Sequence, residues 1–113
     1  MVMPKPPAEF CIDSFQYKEY VGENDWSEPI YAPPVTIENC RIDRGAQYTS
    51  TTSGKQLLYN AVVFCYEGIT APLPEFKPQS VLKFDGVEHV VTNVIPIYEA
   101  YEKNLYSYEL EVV

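Results

Sequence analysis

The chain holds one histidine, His89, and three cysteines, Cys11, Cys40 and Cys65. An imidazole serves as a base or a metal ligand only with partners close by. No motif supplies any to His89, which reads as an ordinary strand histidine. The thiols are widely separated, odd in number and set in strand-like runs. Without a CxxC or Cys/His spacing no zinc site is expected, and buried free thiols in a reducing compartment are. Asp85-Gly86 resembles a catalytic aspartate on a loop, yet a two-residue hairpin turn demands those same residue types. Glu109 and Glu111 share one strand face at the period of two, where solvation is the usual reason for acids. Gly-x-Ser-x-Gly, P-loop, GxGxxG and HExxH motifs are all absent from the sequence. The chemistry-bearing residues therefore predict a protein that is not an enzyme, with no catalytic residues, metal or cofactor.

The composition narrows the classes further. At 113 residues the chain is long enough for one domain with a modest core, and a 46% apolar fraction argues against disorder. Sixteen acidic residues against eight basic ones give a net charge of −8. Tight, sequence-independent nucleic-acid binding is driven by lysine and arginine, so it is not expected here. The same deficit argues against an oligonucleotide-binding barrel that stacks bases beside a basic groove. A negative surface keeps a protein soluble, and also suits one that works near nucleic acid without sticking to it. The start has no apolar signal core and no run of about 18 apolar residues occurs, so a soluble chain without membrane contact is expected.

Ten tyrosines and ten prolines against five glycines suggest strands joined by rigid turns. The most apolar run, Leu57 to Tyr66, is broken only by Asn60. Both of its alternating sets are apolar, which predicts a strand covered on both faces in a barrel or sandwich. A buried helix is the rival, disfavoured by shortness and by β-branched and aromatic residues. Residues 1–8 are proline-rich and read as an extended arm, with the β domain spanning 9–113.

Glu9 to Tyr20 alternates with a change of phase near Asp13-Ser14, since Phe10 and Ile12 differ in parity from Phe15 and Tyr17. Val35 to Asp43 slips in the same way, Val35 and Ile37 against Cys40 and Ile42. Such slips predict β-bulges and a curved sheet. Between these two strands a loop over 22–29 carries Trp26, either as an anchor for a partner or as a lid on the core. Gly45 to Gln56 reads as a long polar loop between the second and third strands, either an idle surface loop or one whose length serves a function.

Glu67 to Gln79 carries three prolines, and its Ile69, Leu73 and Phe76 suggest packing across one end of the sheet. Asp85-Gly86 between two strand-like runs predicts a tight hairpin, with Val87 to Ile95 as the return strand. Pro96 to Asn104 reads as a connector with Tyr98 and Tyr101, including at most one helical turn. Leu105 to Val113 alternates, with Tyr106, Tyr108, Leu110 and Val112 inward and Ser107, Glu109 and Glu111 outward. About six strands and no convincing helix predict an all-β fold, a small antiparallel β-barrel or sandwich.

One resemblance covers nearly the whole chain. Asp25-Trp26-Ser27-Glu28-Pro29, Val35-Thr36-Ile37, Arg41-Ile42-Asp43, Asn60-Ala61-Val62-Val63-Phe64, Ser80 through Phe84-Asp85-Gly86 and Tyr108-Glu109-Leu110-Glu111-Val112 occur in that order. Together with the opening Met3-Pro4-Lys5-Pro6-Pro7, they resemble the minor capsid proteins of tailed phages and prophages of Gram-positive bacteria. Relatives of this kind are similar to head-closure, or stopper, proteins. The resemblance implies a homo-oligomeric ring at the head–tail junction of the virion, assembled in the host cytoplasm. Its implied partners are portal or adaptor proteins and tail-completion proteins, with packaged DNA nearby but not specifically bound.

In such proteins the loop between the second and third strands points into the channel. By position that loop is Gly45, Ala46, Gln47, Tyr48, Thr49, Ser50, Thr51, Thr52, Ser53, Gly54, Lys55 and Gln56. Trp26, Glu28, Pro29 and Tyr31 are the candidate subunit interface. A tail-completion subunit is the near alternative. An acidic β-sandwich binding a ligand such as a carbohydrate through its tyrosines is the distant one, although tyrosines spread over every strand look more like packing.

Overall fold

A computed structural model describes residues 7–100 and 103–113. After a single 3-10 turn at Ala8–Phe10 come ten strands: β1 (Asp13–Lys18), β2 (Tyr20–Glu23), β3 (Pro29–Tyr31), β4 (Val35–Asp43), β5 (Gln47–Thr51), β6 (Gly54–Tyr59), β7 (Ala61–Tyr66), β8 (Val81–Phe84), β9 (Val87–Tyr98) and β10 (Leu105–Val112). Six of them close an antiparallel barrel in the order β1-β4-β7-β10-β9-β8, with β8 pairing back onto β1. The other four form two separate two-stranded sheets, β2–β3 and β5–β6. The expected arm over 1–8 lies outside the described residues except for Pro7 and Ala8, and Tyr101 lies outside them too.

The core collects the inward side of each barrel strand. Phe15, Tyr17, Ile37, Cys40, Ile42, Ala61, Val63, Cys65, Leu82, Phe84, Val91, Leu110 and Val112 are joined there by Phe76 from the proline-rich segment. Phe76 meets Tyr17 and Tyr108 edge-on, with ring centroids 5.0 and 5.3 Å apart. The proline-rich segment, expected to pack across one end of the sheet, is thus tied into the core by Phe76, with Leu73 packed against it. Its backbone is tied down by Lys77 N–H donating to the Tyr17 hydroxyl at 3.0 Å. The Asp85-Gly86 turn is also as expected, with φ of 54° and 73°, the left-handed pair that a two-residue hairpin turn requires.

Several expectations are corrected. The run Leu57 to Tyr66 is not one strand, because Asn60 divides β6 from β7 and donates its backbone N–H to Val112 O at 2.7 Å. Leu57 and Leu58 are exposed. Only Ala61, Val63 and Cys65 enter the core, while Val62, Phe64 and Tyr66 are half-buried on the outer side. That outer set is covered by long side chains rather than by a second layer. The Arg41 guanidinium lies 5.7 Å from the Phe64 ring centre, and Tyr106 meets Tyr66 edge-on at 6.0 Å.

The phase slip expected in the first strand does not occur. Cys11 is the inward residue there, in parity with Phe15 and Tyr17, whereas Phe10 and Ile12 are exposed. The register shift at Asp13/Ser14 comes from one extra residue in β4 opposite, Asn39, at φ 62°. One bulge therefore accounts for it, and asparagine tolerates that left-handed backbone better than most residues. A second bulge lies at Tyr106, whose ring packs on outer Tyr66 rather than inward, while Ser107 faces Tyr66 on that outer side as expected but is buried there. The connector beginning at Pro96 is shorter than expected, since β9 runs on through Tyr98.

Candidate assembly surface

The polar stretch between the second and third barrel strands is an ordered hairpin rather than an irregular loop. β5 and β6 pair as Tyr48↔Leu57, Thr49↔Gln56, Ser50↔Lys55 and Thr51↔Gly54. At its tip the Thr51 hydroxyl donates to Gly54 O at 2.9 Å and accepts from Ser53 N–H at 3.2 Å. Every residue from Gly45 to Gln56 is exposed, and none of residues 45–59 belongs to the core. The hairpin's strands carry no inward face, so no alternation announced them. β-branched Thr49, Thr51 and Thr52 were the available signal.

Arg44 fixes the root of this hairpin. Its Nε and Nη2 donate to the two carboxylate oxygens of Asp85 at 2.6 and 3.2 Å, and Nη2 also reaches Asp13 Oδ1 at 3.2 Å. Asp13 Oδ2 in turn accepts the Ile42 N–H at 3.0 Å. One guanidinium thus ties the end of β4 to the start of β1 and to the β8–β9 turn. Its hydrogen bonds hold the Asp85 carboxyl below the usual carboxylate range.

The second projection is the ribbon of β2 and β3, whose turn carries Trp26. The indole is 83% exposed, which rules out the lid on the core. Asn24 pins the turn, its Oδ1 accepting from Trp26 N–H at 2.8 Å and Glu28 N–H at 3.0 Å. Glu28 and Pro29 are exposed beside it. Tyr31 is half-buried, edge-on to Tyr20 at 6.1 Å with Lys18 Nζ 5.8 Å from its ring centre. Of the four expected interface residues, three are thus exposed at or beside the ribbon's turn and one secures its base.

These projections leave the barrel at opposite ends of β4, the ribbon before Val35 and the hairpin after Asp43. At about 3.3 Å per residue they stand roughly 25 Å apart. They also differ in charge. Glu19 to Tyr31 contains Glu19, Glu23, Asp25 and Glu28 and no lysine or arginine, while Gly45 to Tyr66 contains Lys55 and no carboxylate.

The residues weighed for catalysis are not brought together. His89 stacks on the Phe84 ring at 4.3 Å, and Glu111 accepts from Asn93 Nδ2 at 3.1 Å. The three cysteines are buried and free, and burial pushes the Cys40 thiol up to about 12 and Cys65 well above its ordinary value. Among the described residues no group of His, Cys, Asp or Glu is arranged to hold a metal, and no helix is long and apolar enough to cross a membrane.

Residues 7–112 match the family model described as "Minor capsid protein". A protein of Lactococcus phage LL-H, named "Uncharacterized protein ORF5", is 26% identical over 80 residues, covering 68% of each chain. No solved structure matches.

Proposed function

The chain belongs to the minor capsid protein family, a structural kind of phage protein, and on that premise we propose that it is a head-completion connector of the stopper kind. In this reading copies form a ring between the portal or adaptor and the tail, and residues 45–56 of each copy converge on the channel to help retain packaged DNA. The observation that carries the proposal is the exposed β5–β6 hairpin, which projects from one end of a closed barrel between its second and third strands. Its lack of carboxylates lets it stand near phosphates that the rest of an acidic chain would repel.

The gate works as a hinged pair of strands. Gly45-Ala46 and the Asn60 bend are the pivots, and threonine and serine hydroxyls close the channel through hydrogen bonds. A hairpin with a polar tip has little apolar area to bury in either position, so the two states differ little in energy. Deleting Tyr48 to Leu57 removes matched register pairs and no core residue. Particles carrying that deletion are expected to assemble and then lose at least tenfold of their nuclease-protected DNA. Full retention in assembled particles overturns the gate.

A further inference from the structure

The β2–β3 ribbon is an exposed aromatic plug with an acidic collar. Trp26, Val21 and Ile30 are 83%, 54% and 43% exposed. Glu23, Asp25 and Glu28 stand exposed on the same ribbon and its turn, and none of these carboxylates is ion-paired among the described residues. The tip is already shaped by the two hydrogen bonds to Asn24 Oδ1, so little conformational freedom is lost when it docks. Tryptophan in such a position is the commonest kind of binding hot spot, and a collar of one sign selects a partner of the other.

A second copy of this chain does not supply that partner. Lys18 is paired with Glu88, Lys77 with Glu19, and Arg44 with Asp13 and Asp85. Arg41 lies over Phe64. The chain's own apolar cleft, about 200 Å³ between Tyr17, Pro33, Val35, Pro72 and Pro74, has Glu19 on its rim and the ribbon's own root beside it. Lys55, Lys83 and Lys103 are exposed and in no ion pair among the described residues, but none of them rims that cleft, and a like copy brings a net charge of −8 to the acidic collar.

We infer that the β2–β3 ribbon inserts Trp26 into an apolar pocket rimmed by lysine or arginine on a different virion protein, making it the hetero-contact of the molecule. The inference rests on the connector reading and deepens it by assigning one end of the barrel a partner of stated chemistry.

The test uses heads and tails assembled separately without this chain, to which purified full-length protein is added. Wild-type protein is expected to bind one of the two, with affinity falling as salt rises. Trp26→Ala should bind roughly 30-fold more weakly. The triple variant Glu23→Gln, Asp25→Asn, Glu28→Gln should also weaken and lose most of the salt dependence. Equal binding by wild type and both variants overturns the inference while leaving the connector reading in place. Binding of wild type to neither particle overturns the connector reading itself. The chain has one tryptophan, so its fluorescence reports the ribbon directly in the isolated protein. A blue shift with rising concentration, alongside self-association in sedimentation, makes a second copy the occupant and also overturns the inference.

Discussion

At the scale of single residues, small polar groups hold the barrel's irregular places. Thr70 is buried, and its hydroxyl accepts from Tyr66 N–H at 3.0 Å and donates to Asn39 O at 2.8 Å. It therefore satisfies the bulged carbonyl and a strand end together. Thr70→Val keeps the volume but strands both groups, and should cost about 2 kcal/mol in urea unfolding, whereas Thr70→Ser should stay within about 1 kcal/mol of wild type. The thiols make a prediction with a definite sign. Burial holds Cys40 near 12 and raises Cys65, so between about pH 9 and pH 12 the unfolded chain releases protons that the folded chain keeps. Stability is full below that window and falls as pH rises through it, on the order of 1 kcal/mol per pH unit from Cys40, with Cys65 adding in the same direction. Urea midpoints at pH 8 and pH 10 should differ in that direction, and Cys40→Ala should flatten the difference.

At the scale of elements, what was legible follows from where a side-chain period exists. The β8–β9 hairpin was readable because Asp85-Gly86 encodes its turn locally, and the barrel's curvature because Cys40 and Ile42 depart from the phase of Val35 and Ile37. The β5–β6 hairpin was placed correctly between barrel strands but not recognised as strands, since backbone pairing alone holds it and leaves no apolar rhythm. Cys11 is buried as expected of the thiols, whereas Phe10 and Ile12, the larger residues that flank it and suggest a change of phase, both face outward. Trp26 could be located in a loop, but its exposure depends on Asn24, a contact no pattern of hydrophobicity encodes. The bulge itself can be tested. Asn39 is exposed at φ 62°, so Asn39→Ala should lose about 1–2 kcal/mol from backbone strain alone, and Asn39→Gly should lose little. Equal losses in thermal or urea unfolding would argue that the asparagine side chain, not the backbone, holds the bulge.

At the scale of the whole molecule, a closed barrel and two appendages divide stability from contact. Amides of β4, β7 and β10 sit in the ladder around the core, while those of residues 47–58 pair only with each other in solvent. Native-state hydrogen exchange should therefore be slowest in the first set and faster by at least a hundredfold in the hairpin. Comparable protection in both would mean that the hairpin folds as part of the barrel.

Because neither appendage lends a side chain to the interior, the amino acids there answer to whatever they touch outside and not to the demands of folding. A lineage can rewrite its docking specificity at both poles while the scaffold's chemistry stays fixed. Transplanting residues 20–31 between relatives should accordingly yield soluble chimeras whose choice of neighbour travels with the graft.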